Sequence, residues 1–249
     1  MPNLEQLKQL AEEMAVKQIT AAPGRNRRCK LPRLGEANQI LIQAYQSTNE
    51  EIKSRGNIVP AAEWLLDNFY VIEEQFKETQ YHITSDLSRN LPVLTKGEHA
   101  GFPRIYGMAA ELVEFLNGRL EEETIVSFLE EYQAHAPLTC RELWAIPLFL
   151  RICLLETIKD IAVMISESTK LRKQADEWAV KLMNSLTKSR EDPGYRDEFR
   201  KVITEHDAAN KVLKPVYAER LLQRLREEGG EAAPVIRWVD GKQIGRAHV

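Results

Sequence analysis

The chain has 249 residues, of which 43% are hydrophobic and 29% charged, and a formal net charge of −3 at pH 7. That length holds one large domain or two small ones with a substantial core. The composition is that of soluble globular proteins rather than disordered or membrane chains, and the near-neutral charge gives no electrostatic footing for nucleic acid or anionic lipid. Cys29, Cys140 and Cys153 include no CxxC pair, which argues against a disulfide framework or a zinc site and fits a reducing compartment.

The start, MPNLEQLKQLAEEM, is amphipathic and acidic rather than basic-then-apolar, so it does not read as a signal peptide. Residues 4–15 predict a first helix, followed by the basic, irregular connector PGRNRRCKLPRLG at 23–35. Helical spacing returns over 36–53, breaks at SRGN (54–57), and resumes at Pro60, which suits a first helical turn because its missing N–H needs no partner there. This next helix is expected to reach about Thr79. It carries an apolar stripe, Ala62, Leu65, Phe69, Ile72 and Phe76, and an acidic one, Glu63, Asp67, Tyr70 and Glu74.

From Ser85 a loop is expected, broken by Pro92, Gly97, Gly101 and Pro103; a helix over 105–116 then stops at Asn117-Gly118. Residues 121–133 read as a helix acidic in its first turn, as the macrodipole favours. Pro137 opens another, with Thr139 as N-cap and Glu142 three residues on as in a capping box; it is long, apolar, open to a kink at Pro147, and expected to end near Ser166. Its window LWAIPLFLRICLLETI is too short to span a bilayer, which needs about 20 apolar residues, and holds Arg151. Helices over 171–186, 195–206 and 214–228 follow, the last closed by Gly229-Gly230. VIRWV at 235–239 is the only strand candidate. The fold class is therefore all-α, a soluble bundle of roughly eight to ten helices. The expected organisation is a helical domain over 1–187 and a helical extension over 188–243.

No motif identifies chemistry. His82, His99, His135, His206 and His248 include no metal-ligand spacing, and no GxGxxG, P-loop, GxSxG or DxD occurs. Glu63 and Asp67, at i and i+4, repel unless a cation such as Arg104, Arg119 or Arg141 joins them; a paired-carboxylate glycosidase site would need acids on different elements. Cys140 sits at a helix start without an evident base. The connector arginines Arg25, Arg27, Arg28 and Arg33, with Lys30, lack interleaved aromatics and read as a solvated linker. Pairs of acid and aromatic, as in ELWA at 142–145, either bind sugars or pack helices, and the residues alone do not choose.

AEWLLDNFYVIEEQ (62–75), GFPRIYGMAAELV (101–113), GRLEEETIVSFLEEYQ (118–133) and APLTCRELWAIPLFLRICLLETI (136–158) occur in that order. Together they resemble the N-terminal region of bacterial cyclic β-1,2-glucan synthases, large inner-membrane enzymes that build glucan from UDP-glucose. The flanks GRNRRCKLPRLGEANQILIQAY and LLQRLREEGGEAAPVIRWVDG resemble that family too, so the likeness runs from about Leu4 to Gly241. It implies a fragment on the cytoplasmic face, preceding a membrane-embedded glycosyltransferase module and the cyclising and phosphorylase-like modules beyond it. None of those modules lies in this chain, and no catalytic residue carries over. IGRAHV, 244–249, resembles a translated sequencing adapter.

On this reading no cofactor or metal is expected in the chain, UDP-glucose being the donor of the parent enzyme. The partners it implies are the remaining modules of the polypeptide and β-1,2-glucan, with no nucleic acid and no membrane insertion. Glu63, Trp64, Asp67, Asn68, Tyr70, Glu74, Arg104, Tyr106, Glu142 and Trp144 are the structural or glucan-contact candidates. In a docking or structural role, the acidic stripe, Arg104, Glu142 and Trp144 form a buried polar network. In a glucan-guiding groove, Trp64, Tyr70, Tyr106 and Trp144 are exposed. A freestanding helical interaction protein is the third possibility.

Overall fold

Helical spacing decides the backbone almost everywhere. The computed structural model describes residues 3–22, 29–55, 59–83, 87–192, 194 and 196–244. Arg25, Arg27 and Arg28 of the connector, Gly56 and Asn57 of the SRGN break, Ser85, Pro193, Tyr195 and residues 245–249 lie outside them. In chain order the elements are α1 (Leu4–Lys17), β1 (Thr20–Ala21), α2 (Leu34–Arg55), α3 (Pro60–His82), α4 (Leu87–Asn90), β2 (Val93–Leu94) and α5 (Arg104–Phe115). Then come α6 (Glu122–His135), α7 (Cys140–Glu191), α8 (Arg196–Ala209), α9 (Pro215–Glu227), a 3-10 turn (Gly229–Ala232) and α10 (Ala233–Ile244). The all-α expectation is borne out. Among the described residues no helix is long and apolar enough to cross a membrane.

Three local expectations are corrected. Residues 137–166 and 171–186 are not two helices: α7 runs unbroken for 52 residues, with Pro147 inside it. The residues between, Ser166 to Lys170, lack a strong apolar repeat, yet Thr169 returns its hydroxyl to the Ile165 carbonyl at 2.8 Å and the helix continues. VIRWV is helix, because Val235 and Val239, four apart, are both fully buried on one stripe of α10. Within the expected loop, α4 forms, and Val93–Leu94 pairs antiparallel with Thr20–Ala21 in the register Thr20↔Leu94 and Ala21↔Val93.

The backbone groups two compact units, residues 1–43 with 64–162 and residues 44–63 with 163–249. This differs from a divide near 187, because one apolar cluster links Ala175, Leu182 and Leu186 of α7 with Tyr217, Leu221 and Leu225 of α9 and Val235 and Val239 of α10. In the first unit α1 packs along α6. Leu7, Leu65, Phe76, Ile105, Phe128, Tyr132, Phe149 and Ile152 are essentially inaccessible there. The apolar stripe of α3 is buried as expected at Ala62, Leu65, Ile72 and Phe76. α5 stops where Asn117 (φ 50°) and Gly118 (φ 75°) turn left-handed and the Gly118 N–H closes on the Val113 carbonyl at 2.9 Å.

Candidate functional site

Arg104 is placed by backbone first. Pro103, with no N–H to lose, precedes α5, and the Arg104 N–H donates to the Pro92 carbonyl at 2.8 Å, tying the helix start to the strand-bearing loop. The side chain then points inward, 8% exposed, and its Nε and Nη2 each donate to one carboxylate oxygen of Glu142 at 2.8 Å. Nη2 also reaches the Pro137 carbonyl at 3.2 Å. Glu142 is fully buried, and its Oε2 accepts from both the backbone N–H (2.9 Å) and the hydroxyl (3.0 Å) of Thr139. Thr139 Oγ1 accepts in return from the Glu142 N–H at 3.3 Å, which is the capping box the sequence predicted.

Burial opposes charge on Arg104, but the Glu142 hydrogen bonds and charge outweigh it and hold the guanidinium above its ordinary pKa. Its cationic face lies 6.0 Å from the centre of the Tyr132 ring, and Tyr132 donates to Gln18 Oε1 at 2.7 Å. One bidentate pair thus connects the starts of α5 and α7 with α6 and the end of α1.

The acidic stripe is elsewhere. Glu63, Asp67, Tyr70 and Glu74 are exposed, so the expected pairing of Arg104 with that stripe is corrected: both of its forward donors are already taken by Glu142. The single network expected from these residues therefore divides, with Arg104 and Glu142 inside and the acids of α3 in water. Trp144 is 86% exposed although Glu142 two residues before it is buried, because the two side chains leave α7 on opposite faces. Trp64 is 53% exposed, and Asn68 donates to the Trp64 carbonyl at 2.8 Å. Arg151 of α7 meets Glu78 of α3 at 3.6 Å.

Tyr106, expected to be exposed in a glucan groove, is instead half-buried, stacked on Phe102 and edge-on to His99 and Phe149; its hydroxyl donates to Glu156 Oε2 at 3.1 Å. Burial raises the pKa of both partners, Glu156 above the usual carboxylate range and Tyr106 well above a phenol's. Glu156 was not found by sequence reading, although it lies fifty positions from Tyr106 on the buried side of an apolar helix, where an acid is rare enough to notice.

A second overlooked cluster sits in the other unit. His206 is completely buried, with Nε2 2.9 Å from the Tyr217 hydroxyl and Nδ1 3.4 Å from Asp207. Trp178 and Trp238 stand edge-on to its ring at 5.1 and 4.9 Å. Burial holds its pKa below the ordinary imidazole value, against the pull of Asp207. Read only for metal spacing, His206 gave no sign of this; its i, i+11 relation to Tyr217 follows from the turn joining α8 to α9. Among the described residues no group of His, Cys, Asp or Glu could hold a metal ion.

No protein-family model matches the chain. Against curated proteins it is 28% identical, over 238 residues, to the cyclic beta-(1,2)-glucan synthase NdvB of Rhizobium meliloti (strain 1021). The resemblance carried by the sequence motifs is thereby borne out. The match covers 96% of this chain and 8% of the relative, so this chain is similar, along nearly all its length, to one small stretch of a cyclic β-(1,2)-glucan synthase.

Proposed function

We propose that the chain is a non-catalytic helical part of a cyclic β-1,2-glucan synthase, working on the cytoplasmic face of a bacterial inner membrane. Glucosyl transfer from UDP-glucose belongs to other parts of that enzyme. The exposed face of α3 and the first turns of α7 form its docking surface for the remaining modules. The observation that carries this is the division of polar labour in the first unit. Arg104 and Glu142 satisfy one another internally, while Trp144 (86% exposed), Trp64 (53%) and Tyr70 (75%) project from helices whose opposite faces build the core. Large aromatics left outside, beside acids that have no ion pair among the described residues, fit a surface that another body covers.

The same exposure favours a second reading, in which these aromatics and the acids of α3 contact the growing glucan. Calorimetric and fluorescence titration of the purified chain with short β-1,2-glucans and with UDP-glucose separates the two. Docking predicts no saturable heat and no change in Trp emission from a cooperatively folded chain. Saturable β-1,2-glucan binding that is lost in Trp64→Ala or Trp144→Ala replaces docking with glucan contact.

A further inference from the structure

The second unit holds a cleft of about 850 Å³, within the volume range of small-molecule sites. Its floor is one stripe of α7: Thr169, Arg172, Lys173, Asp176, Glu177 and Val180, at the 3-4-3 spacing of a single helical face. The end of α2 and the first turn of α3 form one wall, with Ile52, Val59 and Pro60; α9 forms the other, with Arg220, Gln223 and Arg224.

The charges here are unequally satisfied. Asp176 holds Arg220 in a fork, Oδ1 to Nε at 2.7 Å and Oδ2 to Nη2 at 3.1 Å. Lys173 donates to Glu51 at 2.8 Å. Arg224 meets Glu227 and Glu228, and its Nε also lies 3.7 Å from Asp176 Oδ1 on the floor. Arg172 has no such partner among the described residues, and its Nε is buried without a hydrogen bond. A guanidinium with a desolvated, unmatched N–H is costly. The remedy open on its solvent side is a planar or tetrahedral oxyanion accepting from the two η nitrogens.

We propose that this cleft binds a small organic anion. Its carboxylate or phosphate is seated on Arg172, opposite the α9 wall, where Arg220 is held by Asp176 and donates to Gln223 Oε1 at 3.2 Å. The apolar body of the ligand lies against Ile52, Val59 and Val180. Lys173 is spoken for by Glu51 and tunes the site rather than gripping the anion. The site lies in the second unit and is independent of the docking surface proposed for the first.

The test uses the whole chain, labelled with nitrogen-15 at arginine and followed by side-chain Nε–H spectra. Inorganic phosphate, citrate and, as control, chloride are titrated at constant ionic strength. Saturable movement of the Arg172 resonance with phosphate, with citrate or with both is expected, and the stronger of the two identifies the anion class. Arg172→Met is expected to weaken binding about tenfold or more, the loss of roughly one charge-assisted hydrogen bond, and Arg172→Lys less. Should Arg172→Met unfold, Gln223→Glu places a carboxylate on the opposite wall, leaves Arg172 in place, and is expected to abolish binding. Linear, non-saturating shifts for both anions, or unchanged affinity in Gln223→Glu, would overturn the proposal.

Discussion

A carboxylate taken wholly out of water costs several kcal/mol unless donors replace its hydration, and Glu142 has four, one on Oε1 and three on Oε2: two from Arg104 and two from Thr139. Removing either partner strands the other. Arg104→Met and Glu142→Gln are each expected to lower unfolding stability by about 3–5 kcal/mol, read by urea denaturation. The double replacement Arg104→Met/Glu142→Met should recover most of that loss, since two apolar side chains leave no charge behind. Recovery will be incomplete, because Glu142 also completes a helix cap worth about 1 kcal/mol. Additive losses in the double variant would show that the pair is not energetically coupled. Glu63→Gln, at an exposed acid without an ion pair among the described residues, is expected to leave the urea midpoint where it is.

At the scale of single elements, α5 approaches β2 closely at Gly107. Gly107 is the fourth residue of α5, and in a helix alanine would ordinarily stabilise over glycine by about 1 kcal/mol. A Cβ there, however, would stand 2.8 Å from Leu94 Cδ1 and 3.4 Å from His99 Cδ2. Leu94 is 4% exposed and packed, so it cannot swing aside without disturbing the core. Gly107→Ala is therefore expected to destabilise by about 1–3 kcal/mol, and a rise in melting temperature would show that Leu94 repacks freely. A helical glycine with this role is invisible to propensity.

The same distinction explains what was legible along the chain. The buried stripe of α3, the capping box at Thr139 and the Asn117-Gly118 stop are local patterns with local causes, and each is read from spacing alone. VIRWV failed because its β-branched residues suit a strand while its i, i+4 valines suit a buried helix, and only the core of the second unit decides between them. The continuation of α7 past Ser166 likewise rests on tertiary contacts that offset weak propensity. The pairing of Arg104 with Glu142 spans thirty-eight positions, and nothing in either residue's neighbourhood specifies the other. Arg172 and Asp176 share a helical face in plain view, but the wall that makes them a cleft comes from α9.

Over the whole molecule, two buried titratable groups give the units opposite responses to acid. His206, in the second unit, is held below its ordinary value of 6.5 by burial. Between that lowered value and 6.5 the unfolded chain binds the proton that the folded unit refuses, so stability is present above 6.5 and is lost as pH falls. The groups that face it are Asp207 on its own helix, Tyr217 from α9, and Lys242 beside Asp207; a proton added there meets two indole edges and little water. Glu156, in the first unit, is raised above 4.5 by burial. Between 4.5 and its raised value the folded unit binds the proton more tightly than the unfolded chain, so stability increases as pH falls through that window. Amide exchange corrected for intrinsic rates, compared between about pH 7 and about pH 5, should show protection falling in α8 to α10 while it holds or rises around Tyr106 and Glu156. His206→Asn should remove the first trend and Glu156→Gln the second, each without altering the other. Parallel loss in both units, or persistence of the acid loss in His206→Asn, would show that other groups govern the response. Because each group reports on its own core, the pair of variants also tests whether the units answer acid separately.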